Sequence, residues 1–189
     1  MKALTVITTN DGKFREFTDA LSVSDIRIQR LNARYPEIQA DSLEEVVVFG
    51  MQWLNGKADP PFVIDDSGLF IEGLKGFPGV YSSHAYRTVG NGGILKLMEG
   101  ISDRKAVFMT VIGLFSNGKA RTFKGACHGN IAYAARGNGG FGFDPIFCPA
   151  GSSRTFAEFS VSEKNEISHR GIALRKLKQT LIRDNEEQA

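Results

Sequence analysis

The chain has 189 residues, 42% of them hydrophobic, which is enough for one good-sized core. Its 23 basic residues against 21 acidic ones leave a net charge of +2, which argues against a dedicated nucleic-acid coat and a polybasic membrane anchor but allows a small anionic ligand. Cys127 and Cys148 lack CxxC spacing, no apolar run approaches the roughly 20 residues of a membrane span, and MKALTVITTN carries no signal-peptide core. The expectation is one domain over residues 1–189, cytoplasmic, with no nucleic-acid or membrane partner.

Ala3 to Thr8 (ALTVIT) is apolar and β-branched and reads as a buried strand. Thr8, Thr9, Asn10, Asp11, Gly12 and Lys13 then form a polar turn, after which Phe14, Phe17, Ala20 and Leu21 follow at helical spacing. Strand, polar loop and helix start suit a phosphate, because N–H groups and the helix dipole face it with Lys13 alongside. The same residues also suit an ordinary capped helix with a solvated lysine. This is not a Walker A loop, since the upstream glycine is missing and Phe14 stands where Ser or Thr would hold magnesium.

Ile26 to Leu31 reads as a second strand. Tyr35, Pro36, Glu37, Ile38 and Gln39 form an extended connector. Asp41 or Ser42 can cap a helix that carries Glu44 and Glu45 in its first turn and ends near Asn55-Gly56. Phe62, Val63 and Ile64 then run into Asp65-Asp66-Ser67-Gly68-Leu69. Two adjacent carboxylates at the end of a buried strand repel, and a cation such as magnesium would relieve them. An Asx-type turn capping neighbouring amides is the alternative.

Gly73 to Ser83 (GLKGFPGVYSS) is a shaped loop, with aromatics on rigid turns suited to a subunit contact, or else a plain turn. A helix is expected over 89–98 and a central strand over 105–115. Asn117-Gly118 predicts a type I′ hairpin turn, so the sheet is mixed. The return strand runs from Arg121 to His128, which faces outward, and Ile131 to Ala134 is expected as a further short strand.

Residues 139–170 are the least core-like stretch. Phe141, Gly142, Phe143, Asp144 and Pro145 can present rings and a fixed carboxylate from a tight backbone, a set suited to a flat heterocycle or else a glycine-rich surface turn. Ile146 to Cys148 is strand-like, and Thr155 to Glu158 can start a helical turn. Ser168 can cap a last helix bearing Ile172, Leu174, Leu177 and Leu181. His169 and Arg170 would then lie in its first turn, against the dipole, which hints at a task for them.

Four motifs in order, TTNDGK at 8–13, DDSGL at 65–69, GGFGFDPIF at 139–147 and EKNEISHR at 163–170, make the chain resemble the inosine triphosphate pyrophosphatase family, also called Ham1-like or non-canonical purine NTP pyrophosphatases. The resemblance spans essentially the whole chain. It implies hydrolysis of ITP, dITP and XTP to the monophosphate and pyrophosphate, with Mg2+, by a homodimer. The implied fold is α/β, an elongated mixed β-sheet flanked by helices, with two lobes around a central substrate cleft. By the same resemblance, Lys13 and the Thr8 to Gly12 backbone hold the triphosphate, and Glu37 and Asp66 are the metal ligands. Asp66 also accepts the proton of the attacking water, with Asp65 and Glu45 in support, and Ser67 contacts substrate. Phe141 to Asp144 stack and orient the purine, while Lys164, His169 and Arg170 read its edge. Thr9 departs from the glycine common in the family's loop, and residues 49–53 lack the family's Asn-Ala and following basic residue.

Overall fold

The computed structural model describes residues 3–22, 26–36 and 38–186. The opening apolar run forms β1 (Ala3–Ile7), followed by α1 (Asp11–Leu21) and β2 (Arg27–Leu31). β1 pairs in parallel with β2 from Ala3 opposite Arg27 to Ile7 opposite Leu31, and in parallel with β3 (Phe62–Ile71) through Thr5 and Val6. α1 starts where it does because the Asn10 side chain accepts the Lys13 N–H at 3.0 Å, a cap worth about 1 kcal/mol. Ser42 does the same for α2 (Leu43–Leu54), whose buried residues Leu43, Val46, Val47, Gly50, Met51 and Leu54 recur at the helical period.

After β3 come β4 (Pro78–Gly79), α3 (Ser82–Thr88) and α4 (Gly90–Leu97). β5 (Lys105–Ser116) and β6 (Lys119–Ile131) are joined by Asn117 and Gly118 at φ 51° and 72°, the left-handed pair that a type I′ turn demands. β7 (Phe147–Pro149), α5 (Val161–Ile167) and α6 (His169–Glu186) complete the chain. The strands form a seven-stranded mixed sheet in the order β2-β1-β3-β5-β6-β7, with β4 pairing antiparallel to β3.

The chain divides into two compact units, and the division falls inside β3, β5 and β6. The first takes the described residues within Met1–Asp66, Thr110–Gly125 and Arg170–Ala189, and its core is built from Leu4, Val6, Phe17, Leu21, Val63, Ile112, Leu114 and the inner face of α6 at Ala173, Leu174, Leu177 and Leu181. Each large apolar side chain buried there contributes on the order of 1.5–3 kcal/mol. The second, Ser67–Met109 and Ala126–His169, packs Leu69, Ile71, Ile94, Met98, Phe108, Phe143, Ile146, Phe147 and Phe156 into a core of its own.

Two expectations about elements change, and one element was not expected. The diacid does not end a strand: β3 runs straight through Asp65 and Asp66 to Ile71, because Leu69 and Phe70 find backbone partners in Gly79 and Pro78 of β4. Ile131 is the last residue of β6, opposite Phe147, and opens no separate strand. α3 has no counterpart in the sequence reading, since a seven-residue helix without a side-chain cap leaves little periodic signal.

Candidate active site

In the first unit, the polar loop after β1 is tied to itself before it meets anything else. The Asn10 N–H donates to Thr8 Oγ1 at 3.2 Å, and Asn10 caps α1 through Lys13 N. The Asp11 and Gly12 N–H groups are two of the four at a helix start that have no intrahelical acceptor. Thr9 is exposed.

The Lys13 ammonium lies 3.1 Å from Asp65 Oδ2 and also donates to the Asp65 carbonyl at 3.3 Å. Arg170, 2% exposed, donates from Nε to the same Oδ2 at 3.2 Å and from Nη1 to Glu16 Oε2. Two cations and two carboxylates thus form a charge-balanced chain Lys13–Asp65–Arg170–Glu16, buried except at its half-buried Lys13 end. Burial works against ionising Asp65, but the Lys13 and Arg170 charges and hydrogen bonds outweigh it and hold the carboxyl below the usual carboxylate range. Burial likewise opposes the charge on Arg170, and Glu16 and Asp65 overcome it, raising the guanidinium further.

Asp65 is therefore neutralised by protein cations. Asp66 follows it on β3, half-buried, and successive strand side chains point to opposite faces, so the two acids do not share one pocket. Glu45 is exposed at the start of its own helix, where Oε1 accepts from the Ser42 hydroxyl at 2.9 Å and Oε2 from the Asp41 N–H at 3.4 Å. Glu37 lies outside the described residues. Among the described residues, no three His, Cys, Asp or Glu side chains come together as a metal-holding group. Lys13 and Arg170 both bind Asp65, and Asp66 is a half-buried carboxylate of the kind that a hard divalent cation takes, one or two at a time, completing its shell with phosphate oxygens and water.

In the second unit, Ser67 is half-buried on β3. The glycine turn there is locked around one carboxylate. Asp144, 2% exposed, accepts the Phe141 N–H at 2.8 Å and the Lys164 ammonium at 2.6 Å, both on Oδ2. Gly140 makes the turn possible: its φ is 68°, and a Cβ there would lie 2.1 Å from Asp144 Oδ2. Lys164 is itself buried, 4.8 Å from the centre of the Phe141 ring. The two phenylalanines are not equivalent. Phe143 is 3% exposed, in the core and edge-on to Tyr86, whereas Phe141 is half-buried. Gly142 is fixed by its carbonyl, which accepts from Asn91 Nδ2 at 3.1 Å. His169, 4% exposed, lies flat on Phe108 with ring centres 4.6 Å apart and planes 9° apart.

α5 delivers Lys164 from a well-formed start. Ser160 and Glu163 make a reciprocal capping box, in which the Ser160 N–H donates to Glu163 at 2.7 Å. The Ser160 hydrogen bonds, with Arg154 alongside, pull the Glu163 carboxyl down to about 2.

Sequence reasoning missed Glu16 and Asn91. Glu16 is a charged residue three positions after Lys13 and next to the core residue Phe17, so its place on the inward stripe of α1 was the available signal. Asn91 carried none, since its acceptor is a backbone carbonyl 51 residues away.

A sequence profile of the Ham1 family matches residues 4–180. A dITP/XTP pyrophosphatase of Pyrococcus horikoshii is 58% identical over 169 residues, 89% of this chain and 91% of that protein. One of Thermococcus kodakarensis is 52% identical over 172 residues, covering 91% and 93% of the two chains. Among solved structures, a HAM1 protein from Coxiella burnetii matches with a TM-score of 0.86 at 31% identity, over 97% of this chain and 100% of that one.

Proposed function

The chain belongs to the Ham1 family, and on that premise we propose that it hydrolyses the non-canonical purine nucleoside triphosphates ITP, dITP and XTP to the monophosphate and pyrophosphate. The observation that carries the purine half of this reading is the turn at Phe141: a half-buried ring, a buried ammonium over it, and a carboxylate that binds both that ammonium and the Phe141 N–H. A helix start with a lysine would serve any phosphate ester, whereas a rigid aromatic turn with fixed polar groups serves a planar base.

Lys13 and the N–H groups at the start of α1 hold the triphosphate. Phosphoryl chemistry asks mainly for in-line positioning and charge stabilisation, which fixed donors supply without reorganisation. Asp66 accepts the proton of the attacking water. Asp65, kept ionised by its two cations, holds the Lys13 ammonium in place, while Ser67 contacts substrate. Asp66 and Glu37 are the residues that would hold magnesium, a hard cation that takes one or two carboxylates and fills its shell with phosphate oxygens and water. When bound it neutralises phosphate charge and makes a coordinated water more acidic. Phe141 stacks the purine, and Lys164 and His169 donate to its 6-oxo edge. Adenine presents an amine there, and a buried donor left facing an amine is costly, so ATP is rejected.

A homodimer and a cytoplasmic location belong to the same reading. Phe77, Tyr81, Tyr86 and Val89 are 42–47% exposed along one stretch of the second unit, and a second copy of the chain would cover them. No helix among the described residues is long and apolar enough to cross a membrane.

The test is to incubate the protein and Asp66→Asn with dITP, ITP, XTP, ATP and GTP plus magnesium and to measure pyrophosphate. Pyrophosphate from dITP, ITP and XTP in preference to ATP is expected, with turnover in Asp66→Asn reduced by roughly 10²–10⁴. Release of free phosphate only, or equal rates on ATP, would remove the assignment.

A further inference from the structure

Arg30 lies on β2, outside the four motifs, yet three of its contacts converge on the loop after β1 and the first turn of α1. Nε donates to the Thr8 carbonyl at 3.1 Å, Nη1 lies 2.6 Å from Asp11 Oδ1, and the guanidinium sits 5.2 Å from the centre of the Phe14 ring. The pair with Asp11 is a surface one, with side chains 26% and 77% exposed, and such pairs add little to stability. A structural role thus explains little of why one arginine grips this loop and helix start at three points.

Electrostatics supplies a reason. Asp11 is the first residue of α1, where a carboxylate is favoured by the dipole. That is also where a phosphate would dock, and a carboxylate there repels the phosphate and competes with it for the same N–H groups. We propose that Arg30 is a positioning residue of the phosphate loop: it masks the Asp11 carboxylate and pins the Thr8 carbonyl, so that the start of α1 can receive the triphosphate. The inference rests on the phosphate-loop reading of residues 8–13 and extends it to β2.

The experiment is steady-state kinetics on dITP for Arg30→Gln, Asp11→Asn, the double variant and Lys13→Gln, at low and high salt. Inorganic pyrophosphate serves as a competitive inhibitor that reports phosphate binding independently of turnover. Arg30→Gln should keep its melting temperature and kcat and raise KM and the pyrophosphate inhibition constant roughly ten-fold at low salt, less at high salt. Adding Asp11→Asn should bring both constants back towards the parent values. If Lys13→Gln raises KM while Arg30→Gln leaves it unmoved, the role of Arg30 is overturned and the phosphate-loop reading stands. If neither moves KM, both fall. A rise in Arg30→Gln that Asp11→Asn does not reverse overturns the masking.

Discussion

Glu16 and Arg170, 154 residues apart in sequence, meet as a buried ion pair, and Arg170 passes the contact on to Asp65. Neither partner is expendable alone. Glu16→Leu would leave the guanidinium with one carboxylate where it now has two, and breaking a buried pair from one side typically costs about 3 kcal/mol. We expect chemical denaturation to show a loss of that order, and KM for dITP to rise because Lys13 and Arg170 would then share Asp65 unevenly. Unchanged denaturation would mean that Asp65 alone balances Arg170.

The same network sets an acid limit. The folded carboxyl of Asp65 lies below its unfolded value, so the unfolded chain binds the proton more readily and stability rises with pH in that range. The contribution is complete above the unfolded value of about 3.9 and is lost as pH falls through the folded value. Melting temperatures of the parent and Asp65→Asn should therefore differ at neutral pH and converge in strong acid. A constant difference down to the acid end would show that Asp65 does not titrate as its surroundings require.

Much of this arrangement was legible in the residues because its signals are local. Ser42 acts as a cap, Asn117-Gly118 turns the hairpin, and His169 and Arg170 fall in the first turn of α6, each within reach of three or four neighbours in sequence. The diacid was different. The sequence showed two adjacent acids but not that Asp65 is balanced by Lys13 and Arg170, 52 and 105 residues away, since no local pattern encodes contacts of that span. The unequal fates of Phe141 and Phe143 are likewise set by packing against Tyr86, which spacing does not reveal.

Gly140 offers a test confined to the turn. Gly140→Ala places a methyl 2.1 Å from Asp144 Oδ2 at a φ of 68°, so the turn must open or the carboxylate must move off the Phe141 N–H. The position is exposed, so the loss of stability should stay near 1–2 kcal/mol, the cost of a left-handed non-glycine residue. KM for dITP should rise several-fold more than kcat falls, as expected when a base platform shifts and the phosphates do not. Parallel losses in kcat and KM would place the turn outside base recognition.

Lys164 and Asp144 give the sharpest separation of folding from recognition. The pair is 6% and 3% exposed, and Lys164→Met fills similar space while stranding a carboxylate, which costs about 3 kcal/mol. The double variant Lys164→Met/Asp144→Asn removes the stranded charge and should recover most of that stability, because Asn can still accept the Phe141 N–H that now goes to Asp144. Recognition should not recover, since the donor above the Phe141 ring is gone in both variants. We therefore expect the double variant to melt close to the parent protein while its discrimination between dITP and dATP, read as the ratio of kcat/KM values, stays collapsed. Restored discrimination together with restored stability would reduce Lys164 to a counter-ion for Asp144.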